Sequence, residues 1–159
     1  MKPIVMTLFL LLPSMLLAGT PDNKPALADL TTVKIICDVN VGAAKLLLRR
    51  LELIDETYSQ LLDAGVIPVV VVAFRGGASR YVTQGNKYVE AKDAGTKREI
   101  QGWINQFSQH GFRLEQCAIA ARAQKVDPAD FMPVVTVVQN GYISIVAYQA
   151  RGYSFLPMD

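Results

Sequence analysis

Two segments of the chain are rich in apolar side chains. Residues 66–74, VIPVVVVAF, are interrupted only by Pro68, and residues 33–39, VKIICDV, form a second run rich in β-branched side chains. Short runs of this kind predict strands. A strand that is apolar on both faces has to be covered on both sides, which is typical of a parallel sheet packed between helices. The sequence therefore predicts an α/β fold.

Helical periodicity alternates with these strands. Between residues 41 and 65, apolar side chains recur three or four positions apart, and Gly65 is a natural helix end. In chain order, the predicted elements are strand 33–39, helix 41–65, strand 66–74, helix 97–110, strand 112–116, helix 117–126 and strand 133–140. This alternation predicts a three-layer α/β domain in which the strand ends that carry function meet at one edge of the sheet.

Two segments allow more than one interpretation. Residues 75–96 are polar and glycine-rich, and a structureless loop of this length is uncommon, so the segment is either functional or contains short helices. Asn140 and Gly141 between β-branched runs are a strong hairpin signal. However, the apolar side chains between residues 143 and 150 also match one face of a helix, and the residues alone support both equally. A final strand is predicted at 153–157.

The N-terminus has the pattern of a secretory signal. Lys2 precedes an apolar run at 4–17 that is short for a membrane span and is followed by small residues. We expect cleavage after Ala18, or as late as residue 28. The chain is thereby divided into a signal peptide (1–18), a leader segment (19–32) and a folded domain (33–159). The mature protein is expected in the periplasm, an oxidising compartment, with no membrane span.

The two cysteines of the chain are the main candidates for chemistry. Cys117 lies where a predicted strand ends and a helix begins, a position at which unpaired N–H groups and the helix dipole stabilise a thiolate. Such a thiolate could carry sulfur as a persulfide. Two other interpretations stay open: Cys117 packs as a small apolar side chain, or it forms a disulfide with Cys37. Cys37 ends a hydrophobic run, which favours its burial.

A second group of candidate site residues follows the second strand. Gly76 and Gly77 could expose backbone N–H groups to an anion, with a tight turn as the alternative. Arg75 and Arg80 flank these glycines and could receive an anionic sulfur compound at the same sheet edge as the thiol. The spacing matches neither nucleotide-binding fingerprint. The formal net charge of +2, without a Lys/Arg run, gives no electrostatic basis for nucleic-acid binding.

The sequence predicts no metal site and no cofactor. A metal site at the two cysteines would need further ligands. The one histidine, His110, lies in the last turn of a predicted helix, where an imidazolium suits the helix C-terminus, so we interpret it as a structural cap and not as a ligand. Asp38, next to a cysteine, is interpreted as a helix-region cap. The apolar side chains of Tyr58, Trp103 and Phe107 could form an oligomer interface or pack in the core.

The last third of the chain contains a distinctive series of features. Glycine and a short strand lead to a cysteine, followed by a helix, a DPADF turn, a strand, then NG, Q-x-x-GY and a final LP. In this series residues 111–157 resemble the C-terminal half of the DsrE/DsrF-like family. Residues 66–82, VIPVVVVAFRGGASRYV, resemble the second strand and following loop of that family. The similarity covers about residues 33–157.

This resemblance implies a fold and a function. Members of the family have a three-layer α/β/α sandwich around a mainly parallel five-stranded sheet, and they form homo- or hetero-oligomers. For the ambiguous segment at 142–151, the resemblance implies a helix instead of a hairpin. Some members carry a persulfide, and Cys117 matches the cysteine typical of exported single-domain members. The resemblance implies periplasmic sulfur handling by a homo-oligomer, with Cys117 as carrier, no cofactor, and a sulfur donor or acceptor protein as partner. The alternative is a non-catalytic oligomeric module that binds a small ligand or a partner protein, with structural cysteines.

Overall fold

The computed structural model describes residues 21–159, so the predicted signal peptide lies outside the described residues. Within this range the chain forms an α/β domain with five strands and five α-helices. The strands are β1 (Thr32–Val39), β2 (Ile67–Phe74), β3 (Arg113–Cys117), β4 (Thr136–Val138) and β5 (Ser154–Met158). The α-helices are α1 (Lys24–Leu27), α2 (Ala44–Asp63), α3 (Ala94–Gln109), α4 (Ala118–Ala123) and α5 (Gly141–Ala150).

The five strands form one sheet in the order β4-β3-β2-β1-β5, and every neighbouring pair is parallel. Strands β1 to β4 are added successively in one direction, and β5 joins on the other side of β1. The predicted five-stranded sheet is therefore confirmed, and it is parallel throughout. In a parallel sheet all carboxyl ends lie at one edge, which brings the segments that follow β1, β2 and β3 close together.

Helices cover both faces of the sheet, as the apolar strands predict. On one face, Ile35 and Val39 belong to a core that also contains buried residues of α2 and α3. On the other face, Ile36 packs in a smaller cluster with Ile145 and Tyr148 of α5. Successive residues of a strand point to opposite faces, so both faces of β1 are buried.

Helix α5 forms where the sequence allows either a hairpin or a helix. The Asn140 side chain accepts a hydrogen bond from the Tyr142 N–H at 3.0 Å, which is an N-cap. Asn140-Gly141 therefore begins a helix here instead of forming a two-residue turn, and the expectation from the family resemblance is confirmed. The crossover from β4 to β5 runs across the second face of the sheet.

The long polar segment after β2 contains two short 3-10 helices, Gly76–Arg80 and Ala91–Asp93. It is anchored by the fully buried Lys97, whose ammonium group donates hydrogen bonds to the Arg80 carbonyl at 3.2 Å and the Gly85 carbonyl. The interpretation with short helices is therefore confirmed. Because α3 starts at Ala94, this segment is shorter than the sequence predicts.

The aromatic residues considered for an oligomer interface lie in or against the core. Phe107 is fully buried, and Tyr58 and Trp103 pack against the same cluster. His110 caps the C-terminus of α3 and stacks on Tyr58 with ring centroids 5.1 Å apart. Of the helices in residues 21–159, none is long and apolar enough to cross a membrane.

Candidate functional site

Cys117 lies at the carboxyl edge of the sheet. It is the last residue of β3 and the N-cap residue of α4, so it occupies the strand–helix junction that the sequence predicts. Its side chain is 2% exposed and its sulfur is a free thiol. The thiol is thus covered by protein while bordering the edge at which open α/β sheets bind ligands.

The start of α5 lies directly against Cys117. A Cβ atom on Gly141 would sit 3.0 Å from Cys117 Cβ and 3.5 Å from Sγ, so a larger residue would crowd the thiol. The helix begins at this glycine, behind its Asn140 cap. The positive end of the α5 dipole is therefore close to the sulfur.

Arg75 brings a positive charge to the same site. Its guanidinium donates two hydrogen bonds to the Asp38 carboxylate and a third, of 3.0 Å, to the Tyr142 hydroxyl. The guanidinium carbon also lies 4.7 Å from the centre of the Tyr142 ring, a cation–π distance. The hydrogen bonds to Asp38 raise the pKa of Arg75 and outweigh the lowering by partial burial, and the negative charge of the Asp38 carboxylate raises it further. Arg75 is therefore a permanent cation beside the thiol.

Asp38 holds this arginine in place. It belongs to β1, is 3% exposed, and is in register with Ala73 on the face covered by α5. A carboxylate buried to this extent requires a partner, and a two-pronged guanidinium supplies one. The cap interpretation of Asp38 is wrong, because β1 continues to Val39 and the carboxylate binds Arg75 instead of a helix end.

The two glycines after Arg75 bring two loops together. A Cβ atom on Gly77 would sit 2.4 Å from Gly42 Cα, and one on Gly76 would sit 2.8 Å from the Asn40 carbonyl oxygen. The Gly77 N–H donates to that same carbonyl at 3.1 Å. The structure thus gives Gly76 and Gly77 a packing role against the segment between β1 and α2.

Arg80 points to a different part of the edge. Its guanidinium donates to the Gly42 carbonyl at 3.3 Å and lies 6.0 Å from the centre of the Tyr81 ring. Arg75, in contrast, binds Asp38 and Tyr142 on the α5 side. The two arginines therefore share no hydrogen-bond partner, and Arg75 is the one that the structure places with Cys117.

The structure keeps the two cysteines apart. Cys37 is 1% exposed and belongs to the core of α2 and α3, whereas the Cys117 sulfur lies on the α5 side. Their strands are separated by β2, and two strand spacings amount to roughly 9–10 Å. A disulfide requires Cα atoms within about 7 Å. The Cys37–Cys117 bond that the sequence allows is not formed here, and both thiols are free.

Burial of Cys37 has a measurable consequence for stability. It raises the pKa of the Cys37 thiol from 9.0 to about 12. The folded protein therefore keeps this proton above pH 9 while the unfolded chain loses it, so stability falls as pH rises from about 9 to 12. When the wild type and Cys37→Ala are unfolded in urea at pH 8 and pH 10, we expect the wild type to lose roughly 1 kcal/mol more stability between the two pH values than the variant does. Equal losses in the two proteins would contradict this burial.

Residues 21–159 contain no group of three histidine, cysteine or acidic side chains that could hold a metal ion. The site instead consists of one thiol, one cation and the start of one helix. Such a set can stabilise a sulfur anion.

Three groups of this site are absent from the sequence-based prediction. They are Asp38, Tyr142 and the Asn140-Gly141 helix start. A charged residue between apolar neighbours in the buried part of a strand, as Asp38 is between Cys37 and Val39, is the signal that could have indicated a buried ion pair. No sequence signal connects Tyr142 to an arginine 67 positions earlier.

Comparisons with known proteins agree with this architecture. In solved structures, the fold is similar to that of MTH1491, a protein of unknown function from Methanobacterium thermoautotrophicum, with a TM-score of 0.62 and 16% identity over 79% of this chain and 98% of that chain. It is also similar to the ychN protein from E. coli, with a TM-score of 0.55 and 12% identity over 80% and 99% of the two chains. At these identities the likeness supports the fold alone. No curated protein sequence matches the chain.

A comparison with models of protein families identifies the chain more specifically. The model of the DsrE/DsrF-like family matches residues 44–158, from the start of α2 to the end of β5. This range contains Arg75, Cys117 and the α5 helix start, and it is well over half of the 159 residues. The protein therefore belongs to the DsrE/DsrF-like family.

Proposed function

We propose that this protein is exported to the periplasm and carries sulfur there as a persulfide on Cys117. Membership of a family associated with sulfur transfer supports the class of chemistry. The observation that carries the proposal is the position of Cys117, with the start of α5 and the Arg75 guanidinium beside it. Both features stabilise a negative charge on sulfur, which is the charge of the attacking thiolate and of the resulting persulfide anion.

Loading and unloading are two thiol exchange steps. In the first, the Cys117 thiolate attacks the terminal sulfur of a donor persulfide, a new S–S bond forms, and the donor leaves as a thiolate. In the second, an acceptor thiolate attacks the terminal sulfur on Cys117, and Cys117 leaves as a thiolate. Each step exchanges one S–S bond for another, so neither needs an external oxidant, a reductant or a cofactor. The proposed partners are a donor and an acceptor of sulfur.

The burial of Cys117 sets a condition on this transfer. Because the side chain is 2% exposed, a donor reaches the sulfur only when the segment that covers it moves. Gly141 lies directly against the thiol, and Tyr142 next to it is 57% exposed and holds Arg75. Displacing the start of α5 is thus the shortest route to the thiol.

The low exposure of Cys117 also supports a second candidate function. In this candidate the protein is a non-catalytic module that binds a small ligand or a partner protein, and Cys117 packs as a buried apolar side chain. The Cys117→Ser substitution distinguishes the two candidate functions. A carrier loses all function in Cys117→Ser, whereas a binding module keeps its ligand affinity.

The test is to load the periplasmic protein with glutathione persulfide and to measure its intact mass. We expect one added sulfur atom in the wild type and in Cys37→Ser, mapped to Cys117 by peptide analysis, and none in Cys117→Ser. Sulfur on neither cysteine, or equally on both, would overturn the carrier proposal in favour of the binding module. The same spectrum reports export, since cleavage after Ala18 removes residues 1–18 from the mass.

A further inference from the structure

A cleft opens at the amino edge of the sheet, on the face that α5 covers. Its floor belongs to β2, and its sides come from the start of β3 and from the segment that ends α5. Its lining includes one strand segment, two arginines and two tyrosines: residues 69–71, Arg113, Arg151, Tyr148 and Tyr153. We call this surface the amino-edge cleft. Cys117 lies at the opposite edge of the sheet, at the other end of β3.

Three cations surround the amino-edge cleft. Lys34 of β1 is in register with Val69, and Arg113 of β3 is in register with Val71. Val71 packs on the α5 side of the sheet, and alternate residues of a strand share a face. The side chains of Lys34 and Arg113 therefore flank β2 on that face. Arg151 follows α5 directly and lines the cleft from a third side.

These three cations have no acidic partner within residues 21–159. The ion pairs of this range all involve other residues, and none of the described residues that line the cleft is acidic. The Lys34 ammonium lies 3.5 Å from the Arg151 carbonyl oxygen and 5.7 Å from the centre of the Tyr153 ring, both uncharged groups. Cations grouped around one cleft without counter-charges produce a positive potential that attracts anions.

Arg113 is held in position from inside the protein. Its guanidinium donates a hydrogen bond of 3.0 Å to the Tyr148 hydroxyl, which donates one of 2.8 Å to the Glu115 carboxylate. Tyr148 is 7% exposed and Glu115 6%, so this chain of hydrogen bonds is buried. The described protein groups take one of the five N–H donors of the guanidinium, and four remain for a ligand. Arg113 is thus oriented before any ligand arrives.

Attraction to the negative end of α5 does not account for all three cations. Lys34 and Arg151 lie near this helix C-terminus, where positive charge is favourable. The backbone already closes the last turn, since the Tyr148 carbonyl accepts hydrogen bonds of 2.9 and 3.1 Å from two later N–H groups, and Gly152 has the left-handed φ of 82° typical of such an end. Arg113 belongs to β3 and binds a side chain instead of the helix end.

We propose that the amino-edge cleft binds an oxyanion of the phosphate or sulfate class. The three cations outnumber the one carboxylate beneath them, Glu115, by two charges, which matches a dianion. The planar guanidinium of Arg113 can donate two parallel hydrogen bonds to two oxygens of such a group. A phosphate group presents the same oxygens whether it is free in solution or part of a lipid headgroup. This site is separate from Cys117 and from Arg75, whose guanidinium is already bound to Asp38.

The first test is a titration of the mature protein with inorganic phosphate at constant ionic strength, followed by amide NMR shifts. We expect saturable shifts at Gly111 and Arg151, with half-saturation at roughly 1 mM. Arg113→Gln and Arg151→Gln should each weaken binding at least tenfold. Arg151→Gln removes a charge without removing a side-chain hydrogen bond within the described residues, so it keeps the buried contacts of Arg113 intact.

The matched control is Arg98→Gln. Arg98 is an exposed arginine of α3, on the other side of the sheet, so this variant loses the same charge and should bind phosphate like the wild type. Shifts that do not saturate by roughly 100 mM would overturn the proposal. Equal binding by the wild type and Arg151→Gln, or shifts confined to the carboxyl edge around Gly42, would also overturn it.

The second test distinguishes the two sources of the phosphate group. The protein is sedimented with vesicles of phosphatidylcholine alone and with vesicles that also contain phosphatidylglycerol. Sedimentation with the phosphatidylglycerol vesicles that is lost in Arg151→Gln would identify a lipid headgroup. Binding of inorganic phosphate without sedimentation would identify a free anion, and binding of neither would overturn the proposal. Neither measurement involves persulfide loading of Cys117, so this proposal and the proposed function can fail separately.

Discussion

Replacing Arg75 by alanine is expected to lower the free energy of unfolding by about 3 kcal/mol. The substitution leaves the Asp38 carboxylate, which is 3% exposed, without the guanidinium that accounts for both of its side-chain hydrogen bonds. An unpaired buried charge is among the most costly defects in a folded protein. Urea unfolding at pH 7 measures the loss.

Two further variants separate the ion pair from packing. Asp38→Asn combined with Arg75→Ala removes both charges, so the double variant should be more stable than Arg75→Ala alone. Arg75→Lys keeps a cation but loses the two-pronged geometry, so its loss should be intermediate. A double variant that is less stable than Arg75→Ala would mean that Asp38 needs no partner at this position.

The same substitution tests the electrostatics of the thiol. In the Cys37→Ser background, the alkylation rate of Cys117 is measured at one fixed pH, with and without Arg75→Ala. Loss of the cation should slow alkylation, because the negative charge that develops on the attacking sulfur loses a favourable partner. Arg75→Lys should restore most of the rate. An unchanged rate in Arg75→Ala would assign Arg75 a purely structural role.

The fold could be predicted to a large extent because its three central strands, β1, β2 and β3, are buried on both faces over much of their length. The apolar run at 66–74 indicates a central parallel strand, and β2 is indeed flanked by β1 and β3. Strand β4 is the contrasting case: the sequence predicts a strand at 133–140, but only Thr136–Val138 pair with β3. β4 lies at the edge of the sheet and pairs with β3 alone, so the extent of its pairing depends on tertiary structure as well as on its own residues.

The candidate site could be predicted only in part. Cys117 follows from the local junction of strand and helix, and Arg75 from its place after an apolar strand. The helix start that lies against the thiol belongs to α5, whose path across the sheet depends on the whole topology. The Asp38–Arg75 pair likewise depends on strand register, which the sequence does not reveal. Local patterns thus predict the position of the candidate thiol, and tertiary structure determines its neighbours.

Replacing Gly77 by alanine is expected to destabilise the fold by at least about 2 kcal/mol. The new Cβ atom would lie 2.4 Å from Gly42 Cα and 2.9 Å from Gly42 N, and both are backbone atoms that cannot rotate away. The two loops would have to separate, which strains the hydrogen bond from Gly77 N–H to the Asn40 carbonyl. Thermal and urea unfolding of the purified variant measure the loss.

The matched control for this substitution is Gly85→Ala, in the same segment between β2 and α3. A Cβ atom on Gly85 would meet no atom within 4 Å, so this variant should stay within about 0.5 kcal/mol of the wild type. The two variants should also differ in their effect on the candidate site. Gly77 follows Arg75 by two residues, so displacing Gly77 should shift the Arg75 guanidinium away from Asp38. We therefore expect Gly77→Ala to slow persulfide loading of Cys117 while Gly85→Ala does not. A Gly77→Ala variant as stable as Gly85→Ala would mean that the loops around Gly42 and Gly77 can separate at no cost, and would remove the packing role assigned to this glycine.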